Sequence, residues 1–92
     1  MKQFLLISYD ITNDRNRLQV MKTLQDYGTR VQYSVFECIL RPQEIESLQK
    51  RLQRFVQRFD SIRFYYLSAD DVRRIQVLGK GGVTRESSYY LH

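Results

Sequence analysis

Phe4-Leu5-Leu6-Ile7-Ser8-Tyr9-Asp10-Ile11 is an apolar run that closes on a carboxylate. It shows almost no alternation of apolar and polar side chains, which marks a central strand buried on both faces. Asp10 stands where that strand leaves the sheet, at the rim of the core, partly desolvated yet open to a ligand. Its plainest role is to begin the turn before the next helix.

Working outward, Thr12 and Asn13 are suited to cap a helix, with Asp14 near its positive end. Leu18, Met21, Leu24 and the stretch from Gln25 to Tyr27 carry the 3.6-residue period, and Gly28 is a good stop. Arg15, Asn16, Gln19, Lys22 and Asp26 fall on the wet side. Residues 30–40 (RVQYSVFECIL) are rich in β-branched and aromatic side chains and predict extended chain. They form either one long strand or two short ones broken around Tyr33-Ser34, where neither Gly nor Asn marks a turn. Pro42 opens a second helix, with Glu44 and Glu46 at its N-terminal end. Ile45, Leu48, Leu52, Phe55, Val56 and Phe59 make its apolar stripe, and Lys50, Arg51, Arg54 and Arg58 cover the outside. Asp60-Ser61 turns the chain into a strand at 62–67, and 68–71 read as a turn or one helical turn. A fifth extended piece follows at 74–78. Gly79-Lys80-Gly81-Gly82 ends it and is not a phosphate-binding loop, for it lacks the spacing, the Ser/Thr after lysine and the following helix.

Strand, helix, strand or pair, helix, strand is the order of an α+β domain. With two helices on one face of a mostly antiparallel sheet, it predicts the ferredoxin-like βαββαβ arrangement. The extra strand either edges its own sheet or pairs with a neighbour's exposed edge. Residues 1–78 are expected to form the domain and 79–92 a flexible tail.

At 92 residues the chain makes one thin-cored domain, burying only about 60% of its unfolded surface, so a second copy would help it. Fifteen Lys and Arg against ten acids give +5. That excess, mostly arginine, suits a phosphate-bearing partner and forked contacts to it. A lone cysteine rules out an internal disulfide framework and a cysteine-based zinc site. No leader and no long apolar run are seen, so a cytoplasmic protein without a membrane partner is expected.

Three segments together resemble a known family. They are Tyr9-Asp10-Ile11 followed by Asp14-Arg15-Asn16-Arg17, then residues 27–38 (YGTRVQYSVFEC), then Phe64-Tyr65-Tyr66-Leu67. The chain resembles the small universal CRISPR-associated protein of spacer acquisition, the Cas-two family, over roughly residues 2–78. The resemblance implies a ferredoxin-like homodimer whose C-terminal strand crosses onto the partner's sheet. It implies a metal-dependent endonuclease acting on single-stranded RNA or double-stranded DNA, and a dimer that bridges integrase subunits while holding DNA. Carried over by position, Asp10 is the metal ligand and catalytic residue. Arg15, Arg17 and Arg30 are nucleic-acid contacts, and Tyr9, Ser34 and Phe36 support the site.

The chemistry is consistent with such a role. Mg2+ (or Mn2+) takes oxygen ligands, commonly one or two carboxylates plus water and phosphate. One chain offers a single convincing acid, so Asp10 from each of two copies would complete the set and relieve the repulsion between them. Arg15 and Arg17, at the helix start just past Asp10, are placed to hold flanking phosphates. Tyr9, Phe36 and Cys38 also read simply as core, and Ser34 as a strand residue satisfying its neighbours. No histidine, lysine or second acid stands out as a general base, so a non-catalytic DNA-binding adaptor is the alternative. A toxin-like ribonuclease on the same fold is more distant. A single-strand RNA-binding module would need a glycine-aromatic motif that the sequence lacks.

Overall fold

The computed structural model describes residues 1–85. In chain order the elements are β1 (Gln3–Asp10), α1 (Asp14–Gln25), β2 (Gly28–Gln32), β3 (Val35–Leu40), α2 (Pro42–Gln53), β4 (Ser61–Leu67) and α3 (Ala69–Arg73). The sheet is antiparallel throughout, in the order β2-β3-β1-β4. Ile7 of the central strand pairs with Phe36 on one side and Phe64 on the other. This is the ferredoxin-like arrangement expected from the sequence. No helix among the described residues is long and apolar enough to cross a membrane.

Both helices begin as their first residues dictate. The Asn13 side chain accepts the Asn16 N–H at 2.8 Å, capping α1. At the start of α2 the Glu44 carboxylate accepts the Arg41 N–H at 2.8 Å, with Pro42 on the first turn. Val20 and Leu24 of α1 meet Ile45, Leu48 and Leu52 of α2 over Leu5, Ile7, Tyr9, Phe36, Cys38 and Leu40. The core therefore lies between the helices and one face of the sheet.

The core helices α1 and α2 leave the other face of the sheet open, and four points of the expected architecture are now decided. First, β1 is sealed on the helix side, while on the other side Phe4 is buried but Leu6 and Ser8 are only half-buried and Asp10 is exposed. The unbroken apolar run thus reflects one sealed face and a second that opens progressively toward Asp10, rather than two fully buried ones. Second, the choice left open over residues 30–40 falls to two strands, broken at Tyr33-Ser34 as the second alternative had it, with a register shift between Arg30 and Gln32. Third, residues 74–78 form no strand in this four-stranded sheet. The α3 turn, capped by Ser68, sends the chain across the open face. There Val77 and Leu78 share a cavity with Leu6 and Val35, and the Thr84 N–H bonds the Glu37 carboxylate at 2.9 Å. Glu37 is consequently buried. Fourth, α2 stops at Gln53, so its stripe ends with Leu52 and a half-buried Phe55, leaving Phe59 outside.

Gly28 does not stop α1, which already ends at Gln25. It opens β2 where a Cβ would collide with the Cys38 sulfur and the Glu37 carbonyl. Of the expected tail 79–92, residues 86–92 lie outside the described residues.

Candidate nucleic-acid and metal site

Asp10 ends β1 opposite Ser61 of β4, and its carboxylate is exposed. Strand alternation puts it on the open face with Leu6 and Ser8, while Tyr9 turns toward the helices. Among the described residues the Asp10 side chain makes no hydrogen bond or ion pair. No group of three or more His, Cys, Asp or Glu side chains gathers among them either.

On the helix side a groove of about 350 Å3 is lined by Tyr9, Asp14, Arg17, Leu18, Met21, Arg30 and Tyr33. Three of the expected site residues, Tyr9, Arg17 and Arg30, thus share this groove, two of them on one backbone oxygen. The Tyr33 carbonyl accepts the Tyr9 hydroxyl at 3.2 Å and two N–H groups of Arg30 at 3.0 and 2.6 Å. The Arg30 guanidinium also lies 5.1 Å from the Tyr33 ring centre. Burial pushes the Tyr9 hydroxyl pKa up, with the Arg30 charge pulling the other way. Tyr9 and Arg30 therefore brace the β2–β3 turn, and the Ser34 carbonyl joins them by accepting the Tyr9 N–H at 3.0 Å.

Arg17 is engaged as well. It donates to the Ile11 carbonyl at 3.0 Å and pairs with Asp14. Phe36 is fully buried, its ring centre 6.4 Å from that of Tyr9. It supports the sheet beneath the rim and presents no face to a base. Arg15 alone of the three expected arginines makes no contact of this kind among the described residues. It lines a wide hollow of about 530 Å3 with Thr12, Asn13, Asp14, Asn16 and Gln57.

The residue that sequence reading passed over is Asp60. One of its oxygens accepts both the Thr12 N–H and the Thr12 hydroxyl, each at 3.0 Å, and the other accepts the Gln57 N–H at 2.8 Å. These bonds hold its carboxyl below the usual carboxylate range. The only signal in sequence was an acid just before a strand, which reads as an ordinary turn.

An exposed acid at the end of the central strand of a basic ferredoxin-like sheet defines a small α+β protein. The chain belongs to the Cas2 family: the family model for CRISPR associated protein Cas2 matches residues 1–75. It is 44% identical to the CRISPR-associated endoribonuclease Cas2 3 of Chloroflexus aurantiacus, over 99% of each chain. Streptococcus pyogenes Cas2 superposes with a TM-score of 0.73 at 38% identity, covering 83% of this chain and 99% of that one. A chain of a partial Cas6-RT-Cas1–Cas2 complex also superposes at 0.73, with 28% identity and coverage of 83% and 90%.

Proposed function

We propose that this chain is a metal-dependent endonuclease of CRISPR spacer acquisition, acting as a homodimer on phosphodiester bonds of single-stranded RNA, duplex DNA or both. The observation that carries the reading is the exposed, unengaged Asp10 carboxylate on the open face of the sheet. One such carboxylate is half of what Mg2+ or Mn2+ commonly takes from protein, and a two-fold pair supplies the rest. When bound, the cation would lower the pKa of a coordinated water and offset charge on the phosphate. The open face is also where two copies would meet, with residues 74–78, outside their own sheet, free to pair with the partner's edge.

The side chains divide the remaining work. Arg15 has its whole guanidinium fork available for phosphate, whereas Arg17 and Arg30 spend part of theirs holding the loops. The Chloroflexus relative's name as an endoribonuclease supports the cleavage reading.

A second reading has its own support. Among the described residues no group of three or more His, Cys, Asp or Glu side chains gathers that could hold a metal, and the sequence singles out no general base beside Asp10. The chain would then be a non-catalytic DNA-binding adaptor bridging integrase subunits, and the likeness to a chain of a Cas1–Cas2 complex favours Cas1 as the partner.

Mg2+-dependent cleavage of single-stranded RNA and of duplex DNA, measured for wild type and Asp10→Ala, decides between them. The nuclease reading expects cleavage to fall at least tenfold while duplex binding in EDTA is kept. Unchanged cleavage in the variant overturns Asp10 as the catalytic residue, and no metal-dependent cleavage by wild type leaves the adaptor.

A further inference from the structure

Phe59 stands in the loop between α2 and β4 with 81% of its surface exposed. Sequence periodicity placed it in a buried stripe, but the helix ends six residues earlier and the ring faces out. The Arg58 guanidinium lies 5.2 Å from its centre, just as Arg54 lies 4.9 Å from that of Phe55. The loop beneath is firmly held. Asp60 bonds back to Gln57 through both its carboxylate and its N–H, at 2.8 and 3.0 Å, and across to Thr12. Ser61, next along, pairs with Asp10, while Gln57 shares a wall with Arg15. Phe59 is thus an outward aromatic ring on a rigid base, flanked by arginine, at the Asp10 end of the sheet.

A ring with guanidinium groups around it matches an unpaired nucleotide: the base stacks on the apolar face and the phosphate meets the cations. A duplex offers little to such a ring, because its base faces are already stacked on one another. Charge favours nucleic acid over an apolar protein surface, since an arginine lies against each of the two aromatic rings and the chain is +5 overall.

We propose that Phe59 is a stacking platform for an unpaired nucleotide, with Arg58 as its phosphate partner. The proposal rests on the nucleic-acid reading above and adds to it a preference for single-stranded segments or frayed ends at this rim.

The chain has no tryptophan, so Phe59→Trp provides a single fluorescent reporter at the site. It is titrated in EDTA, where nothing is cut, with a short mixed-sequence single-stranded RNA, the matching single-stranded DNA and a blunt DNA duplex. Quenching by the single strands and not by the duplex is expected. Phe59→Leu should weaken single-strand binding about tenfold, since stacking rather than apolar area is lost, leave duplex binding unchanged, and be rescued by Phe59→Tyr. Single-strand affinity that is untouched by Phe59→Leu, or that falls in step with duplex affinity, overturns the platform alone. So does a Phe59→Leu defect confined to assembly with an integrase subunit, which would make the ring a protein contact. If wild type binds neither single strands nor duplex, the nucleic-acid reading falls along with it.

Discussion

Asp60 grips Thr12 by two bonds from one oxygen, to the backbone N–H and the hydroxyl, each 3.0 Å long and spanning 48 residues of sequence. The pair fastens the loop that follows Asp10 to the loop that precedes β4, so the two chain segments beside Asp10 move as one. Because these bonds favour the ionised carboxylate, the folded-state pKa of Asp60 is lowered. The folded state then binds fewer protons than the unfolded one between the two pKa values, and stability rises with pH there. The contribution is present above the unfolded carboxylate value of about 3.9 and is lost as pH falls through the lower folded value. Thermal melts of wild type and Asp60→Asn should therefore differ most near neutrality and converge in strong acid. A gap independent of pH would show that the charge of Asp60 does not matter.

Gly28 packs its bare Cα against β3. A methyl group there meets both the Cys38 sulfur and the Glu37 carbonyl oxygen. Gly28→Ala should lower stability by about 1–3 kcal/mol, the range for overpacking a close contact. Denaturant titration measures it. Adding Cys38→Ala should recover only part of the loss, because the backbone oxygen stays where it was. Full recovery would place the whole clash on the sulfur.

Cys38 itself is fully buried, and its thiol is pushed up to about 12, first by burial and then by the neighbouring Glu37 charge. A thiol so placed stays protonated and out of reach of reagents. A disulfide-exchange reagent at pH 8 should leave the native protein unlabelled and titrate one thiol per chain in denaturant. The sign of the linkage follows: the stability from keeping this thiol neutral is present below the unfolded cysteine value of about 8.5. It is lost as pH rises toward 12, so Cys38→Ala should show a shallower alkaline decline. Rapid native labelling would contradict the burial.

The pattern of these residues explains what the sequence disclosed. The β1 run and the helix caps at Asn13 and Glu44 are local signals, and local signals set the element order. The sequence leaves the break at Tyr33-Ser34 as one of two alternatives because the turn is braced by tertiary partners, Tyr9 and Arg30, rather than by a turn-forming residue. Phe59 is misplaced by periodicity because a 3.6-residue apolar spacing continues into the loop beyond Gln53, where the helix has already ended and Asp60 instead holds Gln57. Asp10 could be found as an acid after an apolar run. That Arg17 and Arg30 would hold loops, leaving Arg15 available, depends on carbonyls brought close by folding.

That division of labour between neighbouring arginines can be measured. Arg17 bonds the Ile11 carbonyl and pairs with Asp14, so Arg17→Ala should lower the melting temperature as well as weaken nucleic-acid binding. Arg15 makes no such contact among the described residues, so Arg15→Ala should leave the melting temperature unchanged. Its effect should fall on binding alone: several-fold weaker at low salt, alike for all sequences, with the slope of log affinity against log salt shallower by about 0.9 for a lost duplex phosphate contact. Binding isotherms at several salt concentrations, read beside thermal melts, test both at once. An Arg15→Ala protein with the wild-type salt slope would remove Arg15 from the phosphate contacts, and a sequence-dependent loss would make it a reader of bases instead.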